Sequence, residues 1–373
     1  MPKTYDNLLP RIASFSNLLV AYERARKGKQ QTGDMHAFSF NLEDNLWWLH
    51  EELNNGSYRP GPYRSFHIYE PKRRKISAAP FRDRVVHHAL CRVIQPLFER
   101  KFIYDSYANR VGKGTHAALD RADRFIKRFP YVLKADILKF FPSVDHAILL
   151  RTLNKTICCQ PTLALCQQIV HSGKDVLSDE YPMQWFPGDT LLTPLEHAKG
   201  LPIGNLTSQF WANVLLNELD HFVKEHLQVQ GYVRYVDDFL LFGQDKATLW
   251  QLHREIAHYL AGLRLTLHPR KCHVMPTDQG VPFLGFRLFP THRRLLSESL
   301  RRARKRLRRQ RQAMASGELS PEAMRRSLAS WIGHVQHGDT YHLRYLLLSK
   351  VSWQIGPPID HPAASDDETI PYF

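Results

Sequence analysis

Residues 231–243 read Gly231-Tyr232-Val233-Arg234-Tyr235-Val236-Asp237-Asp238-Phe239-Leu240-Leu241-Phe242-Gly243. Two β-rich runs, Gly231 to Val236 and Phe239 to Gly243, are separated only by Asp237-Asp238, the pattern of a hairpin with acidic residues at its turn. Asp favours turns on its own account, so the pair admits a reading as turn chemistry alone. Its flanks weaken that reading. Tyr235-Val236 before it and Phe239 to Phe242 after it are so apolar that the carboxylates are forced near a buried sheet, where unpaired charge is unfavourable.

A third carboxylate stands at the end of another short β-rich run, Tyr131-Val132-Leu133-Lys134-Ala135-Asp136. If the two strands lie side by side, Asp136 converges on Asp237 and Asp238, although about a hundred residues separate them along the chain. Carboxylates that close ionise together only when a cation neutralises them, and hard oxygen donors suit Mg2+, with Mn2+ as the alternative. Two such ions, roughly 3.5 to 4 Å apart, can lower the barrier for in-line attack of a 3′-hydroxyl on a nucleoside triphosphate. This is polymerase chemistry.

Composition fits. The 373 residues are 43% hydrophobic and 23% charged, which predicts a packed protein of two or three subdomains. Lys plus Arg number 51 against 36 Asp plus Glu, a formal charge of +15 that favours a polyanionic partner such as nucleic acid. The five cysteines are odd in number and form no CxxC pair, so a reducing cytoplasmic setting is expected. No window approaches the roughly 20 apolar residues of a membrane span, and the first residues do not read as a secretory signal; no membrane partner is expected.

Outward from the acidic runs, Leu8 to Lys27 reads as one amphipathic helix, and a second pattern through Leu42, Leu46, Leu49 and Leu53 stops at Asn54-Asn55-Gly56. Tyr63 to Glu70 alternates as a strand, Pro71 to Lys75 reads as a cationic turn, and Asp83 to Phe98 and Thr207 to Gln228 carry helical spacing. Residues 172–199 lack periodicity and read as an insertion. From Ser297 a thin apolar stripe (Leu300, Ala303, Leu307, Met314) runs through eight cations between Arg301 and Arg311 with no acid among them. Ser320-Pro321 starts a further helix, Asp339 or Thr340 a third, and the Pro- and Asp-rich tail after Gly356 is expected to be mobile.

With these residues in place, the chain resembles the reverse transcriptases from about Phe66 to Tyr345. Tyr235-Val236-Asp237-Asp238 matches the family's Tyr-x-Asp-Asp box, and Asp136-Ile137-Leu138-Lys139-Phe140-Phe141 matches the box with the other catalytic Asp. The resemblance implies an α+β right-hand polymerase. Residues 1–130 would form N-terminal helices and fingers, 131–290 a palm with an antiparallel sheet backed by helices, 291–355 a helical thumb, and 356–373 a flexible tail.

By similarity, Asp136, Asp237 and Asp238 would carry the metals, with the Ile137 carbonyl as an added ligand, and Lys271 would act near the leaving pyrophosphate. Phe141 falls at the steric gate against a ribose 2′-hydroxyl; taken alone it reads as a core phenylalanine. Lys72 and Arg74, with Ile203 and Gly204, would meet the incoming nucleotide. Arg110, in Ser106-Tyr107-Ala108-Asn109-Arg110, would act on template or phosphate, with an ion pair as the alternative. Phe283-Leu284-Gly285-Phe286 resembles the primer grip. Arg301, Arg302, Arg304, Lys305 and Arg308 would hold the template-primer duplex, together with Ser208 and Gln209.

Gly200 to Gln209 narrows the resemblance. Many family members have Gln where this chain has Ile203 and Pro where it has Gln209, whereas Gly-x-x-x-Ser-Gln, as in Gly204 to Gln209, resembles the branch of diversity-generating retroelements. That branch implies copying of a template-repeat RNA into mutagenised cDNA from dNTPs, through an RNA–DNA hybrid, with a small basic oligomeric accessory variability protein. Another bacterial reverse transcriptase, intron-like or of antiviral defence, and a catalytically idle RNA-binding protein are the alternatives.

Overall fold

Two predominantly apolar runs become the inner strands of a four-stranded antiparallel sheet. A computed structural model describes residues 3–28, 32–69, 73–181 and 183–349. In it, β3 (Tyr131–Asp136) and β5 (Asp238–Gly243) lie at the centre, flanked by β4 (Gly231–Tyr235) and β6 (His273–Pro276), in the order β4-β5-β3-β6. Val132, Leu133, Phe239, Leu240 and Leu241 are all buried, as strands covered on both faces require. The register sets Val132 opposite Phe242 and Asp136 opposite Asp238.

The core continues into helices Phe81–Glu99, Leu206–His221 and Lys246–Gly262, through Val86 and Leu90, Leu215 and Leu219, and Leu249, Ile256 and Leu260. Together these elements make the α+β architecture of antiparallel sheet and packed helices. Two expected helices are interrupted. Ser14, with φ −54° and ψ 138°, divides the first into Leu9–Ala13 and Phe15–Arg26, and its hydroxyl accepts from the Asn17 amide. Leu206–His221 ends in a π-helical turn, Phe222–His226, where an unbroken helix was expected.

The cationic segment also differs from expectation. Arg74 and Lys75 belong to a strand, β2 (Arg74–Ala78), which pairs antiparallel with β1 (Arg64–Ile68) so that Ile68 faces Arg74 and Phe66 faces Ile76. Cross-strand contacts of Phe66 with Ile76, and of the Ser65 and Ser77 hydroxyls at 2.8 Å, extend the pairing into what composition marked as turn. Asn205 ties this hairpin to the Leu206–His221 helix: its side chain accepts from Ala79 N at 3.1 Å and donates to Ser77 O at 2.8 Å. Within 172–199, the regular structure among the described residues is a 3-10 turn, Ser178–Glu180, and one helical turn, Thr193–Glu196.

Contacts divide the chain into two units, Met1–Arg293 and Arg294–Phe373. In the second, Ser297–Ala315 packs on Pro321–Val335 through buried Ala303 and Met324, and Gln310 donates to the Ser327 hydroxyl at 2.8 Å. Ser320 caps the latter helix by accepting from Ala323 N, and a third helix, Tyr341–Ser349, follows Thr340. The tail after Gly356 lies outside the described residues. The five cysteines are unpaired, and no helix among the described residues is long and apolar enough to cross a membrane.

His87, on Phe81–Glu99, is completely buried, and burial first, then the neighbouring charges of His88 and Arg84, pushes its pKa down to about 3. Below its ordinary value near 6.5, the unfolded chain takes up a proton that the folded chain refuses, so stability contributed at neutral pH is lost as pH falls from about 6.5 towards 3. Between pH 7 and pH 5 this amounts to about 2 kcal/mol. Urea unfolding at the two pH values should show the His87→Gln variant less acid-sensitive than the parent by that amount; equal acid sensitivity would contradict a neutral His87.

Candidate active site

The tip of the β4–β5 hairpin is tighter than its sequence indicates. Tyr235 pairs with Asp238, so the two-residue turn is Val236-Asp237 and Asp238 already belongs to β5. Val236 adopts φ +57°, the left-handed conformation that such turns demand and that β-branched residues resist. Ile137 N donates to Asp237 O at 3.3 Å and His268 N donates to Asp136 O at 2.7 Å, which fixes the end of β3 between its neighbours. All three carboxylates therefore gather at one end of the sheet.

Their charge is balanced by lysines. Lys271 Nζ lies 2.8 Å from Asp136 Oδ1 and Lys134 Nζ lies 3.6 Å from Asp238 Oδ2. Lys134 also donates to Pro282 O at 2.9 Å, which anchors it. Burial, then the charge of Asp136, pushes Asp237 up to about 6. Burial likewise raises Asp238 to about 6, with Asp136 and Asp237 adding to the shift and Lys134 opposing it. Asp238 Oδ1 is buried without a hydrogen-bond partner. Among the described residues no three His, Cys, Asp or Glu side chains are drawn close enough to hold a metal ion unaided. An orphaned buried oxygen within an all-oxygen donor set nevertheless fits a hard divalent cation.

Beside Asp237 opens a cavity of about 210 Å³ lined by Arg73, Arg74, Lys139, Phe141 and Ile203. Arg74 is close enough for its charge to lower the Asp237 carboxyl. Lys75 is drawn aside to Asp179 at 2.8 Å, and Lys139 to Glu180 at 2.7 Å. Phe141 packs edge-on against Phe140, ring centres 5.4 Å apart, and is half-buried, resting on the core while lining this cavity. Gly204 has φ +117°, and an added Cβ would stand 2.9 Å from Ile76, so only glycine suits this position; it lines a different cavity and not the one beside Asp237, contrary to the expected nucleotide contact. Lys72 lies outside the described residues.

Other sequence candidates are not brought to this cavity. Arg110 is turned inward: its Nε meets Glu99 at 2.8 Å, and its Nη1 donates to Ile103 O at 2.7 Å and Ser106 O at 2.9 Å, leaving the side chain 8% exposed. Of the two readings of this residue, the ion pair is the one the contacts carry. Phe283 is wholly buried between β7 (Val281–Phe283) and β8 (Phe286–Leu288), because period-two alternation turns it into the core. Leu284 and Gly285 form the accessible turn, both with positive φ. Ser208 is buried, whereas Gln209 is exposed on a different cavity. Arg301, Arg304, Lys305 and Arg308 are exposed along Ser297–Ala315, and Arg302 reaches Ser299 at 3.2 Å.

Sequence reasoning missed the support beneath the hairpin. Arg234 and Asp220 form a fully buried ion pair, Nε to Oδ1 at 2.7 Å and Nη2 to Oδ2 at 2.5 Å. Arg234 further donates to Asn213 Oδ1 at 3.2 Å, Ser106 Oγ at 3.1 Å and Val236 O at 3.1 Å, so it grips the strained turn from below. Tyr232 donates to Asp220 at 2.9 Å. A charged residue inside an apolar strand was the available signal: such an Arg requires a buried partner.

The family profile described as reverse transcriptase (RNA-dependent DNA polymerase) matches residues 69–288. The chain belongs to the reverse transcriptase family. It is 25% identical over 280 residues to protein YkfC of Escherichia coli (strain K12), covering 64% of this chain and 70% of that protein. It is 26% identical over 211 residues to the group II intron-encoded protein LtrA of Lactococcus lactis subsp. cremoris, covering 55% of this chain. That alignment spans only 33% of LtrA. Among solved structures, apo telomerase from Candida tropicalis, truncated from its C-terminal domain, aligns with a TM-score of 0.45 at 13% identity, covering 66% of this chain and 59% of that one.

Because this reverse transcriptase seats its acidic hairpin on a buried pair, Arg234→Met should strand Asp220 and cost about 3 to 5 kcal/mol in urea unfolding. The double variant with Asp220→Asn should recover part of that loss. Full additivity of the two losses would mean that the pair is not coupled.

Proposed function

We propose that the chain is an RNA-directed DNA polymerase that joins deoxynucleotides on an RNA template by two-metal nucleotidyl transfer. The observation that carries this reading is the meeting of Asp136 with Asp237 and Asp238, on neighbouring strands from distant parts of the chain, beside a cavity lined by Arg73 and Arg74. Asp136, Asp237 and Asp238 would hold the Mg2+ ions, with the Ile137 carbonyl beside them; bound there, the ions supply activation of the 3′-hydroxyl and stabilisation of the leaving pyrophosphate.

The chain's own groups do the rest. Arg74 neutralises triphosphate charge, and its guanidinium can make paired hydrogen bonds to phosphate oxygens. Lys271, which balances Asp136, would turn to the departing pyrophosphate and give it a proton. As the hydroxyl oxygen forms its bond to the α-phosphorus, the bond to pyrophosphate breaks. Phe141, which lines the same cavity, would stand against a ribose 2′-hydroxyl. The leucine–glycine turn at 284–285 would support the primer, and the exposed cations of Ser297–Ala315 would bind the backbone of the hybrid.

Within the family, Gly204 to Gln209, with Ile203 in place of a glutamine, supports the branch of diversity-generating retroelements, copying a template-repeat RNA into error-rich cDNA with an accessory variability protein. Replacing an amide by an apolar β-branched side chain removes a hydrogen-bonding group beside the new base pair. Likeness to the intron-encoded LtrA supports the second reading, an intron-type enzyme. A template repeat and an adenine-altered variable repeat beside the gene would decide for the first; a structured intron around it would decide for the second.

Purified protein with a primed RNA template, dNTPs and Mg2+ should extend the primer, and Asp237→Asn should abolish extension while leaving the circular-dichroism melt in place. Activity retained by Asp237→Asn would overturn the catalytic assignment. Phe141→Ala should admit ribonucleotides more readily, read as the ratio of kcat/KM for dNTP and NTP; an unchanged ratio would remove Phe141 from sugar selection. Neutralising Arg301, Arg304 and Lys305 together should flatten the slope of log affinity for the hybrid against log salt by about one for each phosphate no longer neutralised.

A further inference from the structure

The insertion at residues 172–199 has no part in the sheet or in the acidic hairpin, yet its first half reaches the cavity beside Asp237. Its second half is fastened elsewhere: Arg264 donates to both carboxylate oxygens of Asp189, at 2.6 and 2.9 Å, and His197 meets Asp145. The first half ends in the 3-10 turn Ser178–Glu180. Leu177, 2% exposed, anchors that turn, and Ser178 N donates to Asp175 O while Glu180 N donates to Leu177 O.

Glu180 lines the cavity beside Asp237. A carboxylate in that wall opposes a triphosphate by its own charge, and its neighbours account for it. Four cations, Arg73, Arg74, Lys75 and Lys139, line the same cavity and repel one another. Asp179 takes Lys75 of β2 at 2.8 Å, and Glu180 takes Lys139, from the segment that follows Asp136, at 2.7 Å. Two adjacent acids of one turn thus hold a cation from each of two walls that come from distant parts of the chain. In each pair one side chain is about half exposed, Asp179 at 57% and Lys139 at 48%. Such pairs are weak, whereas a lysine against a polyphosphate makes a charge-assisted bond to a multiply charged acceptor. Exchange of partners needs side-chain rotation alone, with the backbone of the turn still held by Leu177.

We propose that Asp179 and Glu180 are positioning residues that set the affinity for the incoming nucleotide: they hold Lys75 and Lys139 in reserve, and the triphosphate displaces both carboxylates to gain the two ammonium groups. The proposal rests on the polymerase reading above. It gives the insertion a use at the site. Until a nucleotide arrives, two of the cavity's four cations are neutralised, so competing anions such as the phosphates of an RNA strand find less charge to bind.

The test compares the full-length parent with Asp179→Asn, Glu180→Gln and the double variant in extension of a primed RNA template at varied dNTP. Each single variant should lower KM about threefold and the double variant about tenfold, with kcat and the thermal melt little changed. Were the acids only holding the insertion or the lysines in place, KM would rise instead; an unchanged or higher KM overturns the proposal. Lys139→Met separates exchange of partners from a general effect of negative charge. In that background Glu180→Gln should no longer lower KM, because the cation it competes for is gone, and a gain that persists there also refutes the exchange. Failure of the parent to extend any primer would count against the polymerase reading instead. Calorimetric titration with dATP and Mg2+ then decides: binding about tenfold tighter in the double variant upholds the exchange, and equal or absent binding rejects it.

Discussion

Mutual repulsion of three carboxylates is the constraint around which the rest of the first unit is arranged. Asp136 and Asp238 face each other across β3 and β5, and Asp237 occupies the turn beside them. Lys134 and Lys271 offset that charge at Asp238 and Asp136, Lys134 held by Pro282 O and Lys271 carried by the segment that follows His268. The sheet can keep the carboxylates adjacent because its interior is apolar and its hairpin is seated on Arg234, itself neutralised by Asp220. A solvated sheet end would let the acids splay apart. Here two successive layers of ion pairing, one open to solvent and one sealed, oppose that relaxation.

Much of this was legible along the chain. Tyr131–Asp136 is a strand with the bounds its composition indicates, since its short apolar run is too brief to carry a helical period. Helical spacing made the helix at Asp83 to Phe98 legible, though it begins two residues earlier at Phe81, and likewise the helices from Ser297, with Ser320 supplying a cap. Asp-Asp within an apolar hairpin, together with a distant Asp at a strand end, marked the site because charge so placed has few structural uses.

What escaped reading depended on long-range contacts. Arg74 and Lys75 looked like turn residues because charge dominates their composition, yet pairing with β1 makes them a strand. Arg110 turns its charge back to the end of the Phe81–Glu99 helix, where Glu99 and two loop carbonyls take up its donors, and nothing in its neighbours along the chain announces Glu99. Phe283 is the last paired residue of a short hairpin and Leu284 the first of its turn, a boundary that the strand pairing sets and the neighbouring sequence does not mark. Asp220 reads as an ordinary helical acid until the fold sets it against Arg234, fourteen residues further on.

Val236 carries one further consequence. A branched aliphatic residue held at φ +57° places a conformational load of roughly 1 to 2 kcal/mol at the apex of the hairpin, offset by the Arg234 contact to its carbonyl. Glycine at this position would discharge the load and make the protein more resistant to heat, but it would also free the apex to wander. Thermal robustness and fidelity of placement are thus set against each other at a single backbone torsion. Breeding this protein for hardiness alone would drift towards a sturdier molecule with a looser grip on its own chemistry.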